Sequence, residues 1–290
     1  MNNDELTRRD FVSMTVVAGI TAAAAPDAAA QARVVETNVT IKTADGICDA
    51  AFFHQATGSY PGVLVWCDAF GLRPSMRAIG RRLATEGFSV VVPNPFYRVA
   101  KAPVLGDSAA NFNFGDPAQR AKLTPLMGSI AAAGAAERDA ATFIAWLDAQ
   151  PQVDRTKKVG TQGYCMGGPL VMRTSAAVAN RVGAGASFHG GGLVTANPDS
   201  PHLLAPKIQA RMYIGVAIND DMQDPDTKVK LKAAFDAAKV RSEIEVYPQA
   251  QHGWCVSDMP LQANGQPIYN QADADRAWGK LVAMYKAALV

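Results

Sequence analysis

The sequence predicts a single α/β domain built on a mostly parallel sheet flanked by helices, and three observations carry that expectation. Past residue 32, short strand-like runs alternate with helix-length amphipathic segments, the rhythm of strand, crossover helix and next strand. No internal repeat and no Ser/Gly linker divides the chain. With 49% hydrophobic residues over 290 positions, there is apolar material for one large core.

Taken in order, the strand candidates are Val34 to Thr40, Cys48 to His54, Val63 to Trp66, Ser89 to Val92, Lys158 to Thr161, Gly185 to Phe188, Arg211 to Ala217 and Glu243 to Tyr247. Between and after them, Ser75 to Glu86, Ile130 to Ala149, Pro169 to Ala179, Asp226 to Lys239 and Ala272 to Ala288 have helical spacing. The loosest stretch runs from Pro93 to Gly128. Its prolines, at 93, 95, 103, 117 and 125, break helical continuity, and it holds the aromatic cluster Phe96, Tyr97, Phe112 and Phe114. Such an insertion is expected to lie over the sheet's edge and wall a pocket.

Composition excludes several classes. The apolar content is that of a folded protein, not a disordered or fibrous one. Lys+Arg 28 against Asp+Glu 26 leaves a formal charge of +2, too little for a basic face that grips a phosphate backbone, so nucleic acid is not expected as a partner. The four cysteines, at 48, 67, 165 and 255, are scattered and form no C-x-x-C pair, so neither a disulfide scaffold nor a metal site is expected.

Residues 1–32 read as an address. Thr7, Arg8, Arg9, Asp10, Phe11 and Val12 resemble a twin-arginine export box, followed by an apolar stretch from Phe11 to Ala25 and a small-residue run ending at Ala32. The stretch is shorter than the roughly 20 residues a bilayer span needs, so no stable membrane anchor is expected. The expectation is a cleavable export signal over 1–32, a domain over 33–290, transient engagement of the twin-arginine machinery, and a periplasmic or secreted destination.

The most informative residues are Gly163, Tyr164, Cys165, Met166, Gly167 and Gly168, between an apolar strand and a helical run. This is the G-x-nucleophile-x-G elbow with Cys in place of Ser. So sharp a strand-to-helix turn demands small residues two positions either side of the nucleophile, which Gly163 and Gly167 supply. It also sets Cys165 at a helix start, where unpaired N–H groups and the dipole favour a thiolate. Such a thiol needs a base and an acid, in chain order nucleophile, acid, histidine. His252, in the loop after the last strand, is the base candidate. Asn219, Asp220 and Asp221 follow the strand before it; Asp220 comes first after the strand end and is chosen as the acid, with Asp221 as the alternative.

The elbow, the Asn219-Asp220 pair, the His252-Gly253-Trp254 loop and the Asp68-Ala69-Phe70-Gly71 turn together resemble the dienelactone hydrolase family, over nearly everything after residue 34. That resemblance implies the α/β-hydrolase fold and a dienelactone hydrolase, or carboxymethylenebutenolidase-like, activity with no cofactor. It implies a thiol served by His252 and Asp220. It also implies that Asp68, one methylene shorter than the family's glutamate, holds the resting thiol. The elbow geometry assigns the oxyanion hole to the backbone N–H groups of Met166 and Ala69.

Relatives that act on carboxylated lactones resemble one another in an arginine four residues after the catalytic histidine, where this chain has Val256. Arg98 and Arg120, in or beside the loose insertion, and His189, after a strand on the elbow's side, are the remaining candidate substrate contacts. Cys48, Cys67 and Cys255 are expected in the core. A thiolate leaves more readily than an alkoxide, because a thiol's pKa of about 8.5 lies far below an alcohol's. The expected substrate is therefore a small-molecule activated ester or enol-lactone, cleaved through an acyl-thiol intermediate. The rival classes are a thiol redox protein and a noncatalytic binding protein on the same fold.

Overall fold

Among the described residues, eight strands form one sheet in the order β1-β2-β4-β3-β5-β6-β7-β8. The computed structural model describes residues 33–290, and the expected export signal over 1–32 lies outside the described residues. The strands are β1 (Val34–Thr43), β2 (Gly46–Gln55), β3 (Gly62–Trp66), β4 (Ser89–Pro93), β5 (Val159–Tyr164), β6 (Val182–Phe188), β7 (Arg211–Ala217) and β8 (Ser242–Tyr247). Only the β1–β2 hairpin and the β2–β4 pairing are antiparallel; from β4 to β8 every pairing is parallel. All eight strand candidates are present; β7 matches its run, and the others are one to three residues longer than the apolar runs that marked them.

The central strands β3, β4 and β5 are buried along their whole length, as parallel strands covered on both faces must be. Their side chains alternate between two cores. Leu64 and Trp66 join Phe143 and Met172 on one face, while Val63 and Val65 join Leu83 and Trp278 on the other. The first core is roofed by α3 (Ala135–Asp148), α4 (Gly167–Ala177) and α6 (Asp226–Ala237), the second by α1 (Pro74–Thr85) and α7 (Gln271–Leu289). The buried Trp66 Nε1–H donates to Thr174 Oγ1 at 2.9 Å, tying β3 to α4 without leaving a polar atom orphaned.

Two segments differ from expectation. The loose insertion ends in a helix, α2 (Pro117–Ala131), started by Asp116, whose side chain accepts from the Ala118 N–H, and by Pro117 in the first turn. Only Leu126 and Ile130 of α2 are buried, so it carries little apolar periodicity, and Pro125 sits inside it. The single helix expected from Ile130 to Ala149 is instead two: α2 stops at Ala131, and Gly134, with φ +70°, starts α3 in the left-handed conformation that glycine adopts freely. A short helix, α5 (Ile218–Gln223), follows β7 directly.

The topology fixes where chemistry can occur. From β3 the chain crosses to β4 on one side and later returns to β5 on the other, so the order reverses around β3. In open α/β sheets, ligands bind beyond the carboxyl ends of the strands flanking such a switch point. The turn after β3 carries Asp68 and Ala69, and the turn after β5 carries Cys165. Phe143, fully buried on α3 against the Trp66 ring, reports the stability of the first core. Phe143→Ala should cost about 3–5 kcal/mol in chemical denaturation, the range for deleting a buried aromatic side chain.

Candidate active site

Only Cys165 and Met166 separate β5 from α4. Cys165 adopts φ +51°, a strained value for a residue with a side chain. The turn is held by contacts that no larger residue permits: a Cβ on Gly163 would lie 2.1 Å from the Gly167 carbonyl oxygen, and one on Gly167 would lie 2.6 Å from the Trp66 carbonyl oxygen. The Cys165 N–H donates to the Phe188 carbonyl and to His189 Nδ1, each at 3.1 Å. The nucleophile candidate is thus anchored to β6 by its own backbone while its side chain stands partly exposed at the start of α4.

His252 lies in the loop after β8, and α5 fixes it by two bonds. Its backbone N–H donates to Asn219 Oδ1 at 2.8 Å, and its Nδ1–H donates to Asp220 Oδ2 at 2.8 Å. Burial disfavours the imidazolium, but the hydrogen bonds to Asp220 and Cys165 and their charges outweigh it, pushing the His252 pKa up to about 10. Asp221, one residue on, pairs instead with Lys228 at 2.5 Å. Among the described residues, neither the Ala69 nor the Met166 N–H donates to another group, which leaves both free for an incoming oxygen.

His189 is placed differently from a substrate contact. It is 1% exposed, has φ +42°, and its ring lies 4.9 Å from that of His252 and 5.1 Å from that of Trp254. Burial first, and then the charge of His252, hold its pKa well below the ordinary histidine range, so it is neutral. Because Nδ1 accepts from Cys165, its proton sits on Nε2, a buried atom without a partner. It supports the elbow from behind.

Asp68 also departs from expectation. Both its oxygens are taken by Arg73, at 2.6 and 2.9 Å, and Oδ1 accepts the Phe70 N–H as well; no hydrogen bond joins Asp68 to Cys165. Arg73 is fully buried and reaches Asp258 too, at 2.8 Å through each of Nε and Nη2. A guanidinium in that position needs both carboxylates to offset its desolvation, so Asp68 is committed to the turn and not to the thiol. Asp258 accepts the Ala109 N–H at 3.1 Å, so this cluster clamps the β3 turn, the start of α1, the insertion and the chain beyond His252. Burial opposes ionisation of Asp258, but the bonds and charge of Arg73 more than compensate and lower its pKa.

Neither candidate arginine meets the site. Arg98 is spent on Asp45 and Asp139, at 2.6 and 2.8 Å, and Arg120 donates to the Phe114 carbonyl from an exposed position on α2. Val256 is fully buried in the core against α7. The other three thiols are free, and burial pushes Cys48, Cys67 and Cys255 well above the usual thiol range, so none is a ready resolving partner for Cys165.

A parallel sheet with a nucleophile-type elbow after β5 and a histidine after β8 defines the α/β-hydrolase class. The chain belongs to the dienelactone hydrolase family, whose profile matches residues 49–289, and is a hydrolase of that family. It is 28% identical over 238 residues to the carboxymethylenebutenolidase of Rhodococcus opacus, covering 80% of this chain and 83% of that one. The fold is similar to that of a dienelactone hydrolase-like promiscuous phosphotriesterase from metagenomic libraries, with a TM-score of 0.69 and 21% identity over 89% of this chain and 99% of that one. It is also similar to the dienelactone hydrolase of Anabaena variabilis, with a TM-score of 0.58 and 15% identity at the same coverage.

Two measurements check this geometry. Arg73→Met leaves the buried Asp68 carboxylate and the half-buried Asp258 carboxylate without their cation and should cost about 3–5 kcal/mol in urea unfolding. The His252 ring should titrate near 10 by NMR and at clearly lower pH in Asp220→Asn, since the amide cannot stabilise the charged ring. The same shift makes the folded state lose stability as pH rises from about 6.5 through about 10, where the folded chain still holds a proton the unfolded chain has released.

Proposed function

We propose that this protein hydrolyses activated carboxylic esters or enol-lactones through a Cys165-His252-Asp220 triad and an acyl-thiol intermediate. The observation that carries the reading is an imidazole, that of His252, bonded on one side to Asp220 and on the other to a thiol held on a strained elbow. In that reading, the Cys165 thiolate attacks the carbonyl carbon, and the oxygen takes up charge against the Met166 and Ala69 N–H groups. Collapse of the tetrahedral intermediate breaks the bond to the leaving group, which takes a proton from His252. The sulfur is then neutral as a thioester, so the imidazole loses one of the two partners that raised its pKa. It can now remove a proton from the attacking water, and a second collapse returns the thiolate.

The leaving group decides the outcome of the first collapse. A thiolate outcompetes an alkoxide for expulsion by a wide margin, whereas a phenolate, enolate or second thiolate, with a pKa far nearer its own, is expelled on more even terms. Val256 supplies no cation, and Arg98 and Arg120 are engaged elsewhere, so a carboxylate on the substrate finds no clamp at these positions.

Cys165→Ala should abolish turnover of an aryl ester, by about a thousandfold or more, while the variant stays folded; retention of most activity would sink the mechanism. Across a series of esters with the same acyl group, kcat/KM should rise steeply as the leaving group's pKa falls.

We also propose that residues 1–32 are a twin-arginine export signal, on the strength of Arg8 and Arg9 placed before the apolar run. Replacing both arginines with lysine should strand the protein in the cytosol with its activity intact. Fractionation and N-terminal sequencing read this out, and an unprocessed wild type confined to the native host's cytosol would contradict it.

A further inference from the structure

A cleft of about 320 Å³ opens beside the elbow, between α2 and α4. Its apolar wall is Met127 and Ile130 of α2 with Leu170 of α4, and it begins at Met166, the residue after the nucleophile candidate and one of the two oxyanion donors. The lining includes Met166 but not Cys165, so a group on the Cys165 sulfur with its carbonyl oxygen on the Met166 N–H would extend into this cleft past Met166. No lining residue comes from α5 or the His252 loop. The leaving group has to depart within reach of His252, so the occupant of a cleft away from His252 is the part that stays on sulfur.

Resting on the hydrolase reading above, we propose that this cleft is the acyl subsite and that it takes a compact, uncharged acyl group. Its size is at the low end for small-molecule pockets, enough for a single ring or short chain. Its charged residues are Glu137, Arg173 and Asp199. Arg173 is bound to both carboxylates, at 2.8 and 3.1 Å, which leaves the lining with one negative charge in excess and no free cation for an anionic acyl group. The mouth is formed by the exposed residues Ala132 and Ala133 where α2 breaks from α3, so a large side chain can be placed there without disturbing the core.

The test compares p-nitrophenyl acetate, whose acyl group barely enters the cleft, with p-nitrophenyl benzoate, whose ring fills it. In Ala133→Trp and Ala132→Trp, the benzoate-to-acetate ratio of kcat/KM should fall at least about tenfold, a loss typical of a steric mismatch in an apolar pocket. Ser108→Trp, in a separate cleft of about 360 Å³ beside Phe70, should leave that ratio within about twofold. p-Nitrophenyl hemisuccinate, with a carboxylate on its acyl side, should be turned over more slowly than the butanoate. An unchanged ratio in both alanine variants, or a fall in Ser108→Trp instead, overturns the placement. Equal rates for hemisuccinate and butanoate overturn the charge preference. A wild type that hydrolyses none of these esters defeats the hydrolase reading itself, which separates that failure from failure of the subsite.

Discussion

The architecture depends on one steric constraint, the turn from β5 into α4 with a side chain at φ +51°. Cys165 can occupy that conformation only because Gly163 and Gly167 let the two arms of the turn close on each other and on the end of β3. The turn abuts the end of β3 at the switch point, and it leads directly into α4. A residue in a strained conformation persists only where its surroundings over-determine it, and here two acceptors on β6 and its following residue hold the Cys165 N–H.

The rest of the site is brought to that turn from distant sequence by polar pairing. Asn219 and Asp220 at the start of α5 fix the backbone and ring of His252, while Arg73 joins Asp68 to Asp258 six residues beyond it. The two sets differ in electrostatic character. The His252 pair is partly open, with side chains 29% and 27% exposed, and can change its protonation during a reaction. In the Arg73 cluster a fully buried guanidinium is bonded to two carboxylates, which suits a clamp.

The strands were legible because β-branched and aromatic runs bounded by turn residues need no tertiary information to recognise. The elbow was legible for a similar reason: its glycines answer a local steric demand. What escaped was decided at long range. Asp68 lies in the turn where a thiol partner was expected, but Arg73 five residues away, together with Asp258 from the far end of the chain, draws its carboxylate aside. Arg98 looks like a free cation until the fold sets Asp45 and Asp139 against it. Helix α2 buries too few side chains to leave a periodic signature, and the role of His189 behind the elbow depends on a bond to a backbone N–H that no sequence pattern records. Asp220 and Asp221 are equivalent in sequence; α5 separates them by turning one toward His252 and the other toward Lys228.

In the proposed mechanism the Cys165 sulfur carries the acyl group. Mixing the protein with an excess of an aryl ester, quenching in acid within the first turnovers and mapping the peptides by mass spectrometry tests it most directly. One added acyl group is expected, on the peptide containing Cys165, that disappears as substrate is exhausted and never forms in Cys165→Ala. An acyl group on a different residue, or turnover by the Cys165→Ala protein at the wild-type rate, would contradict it.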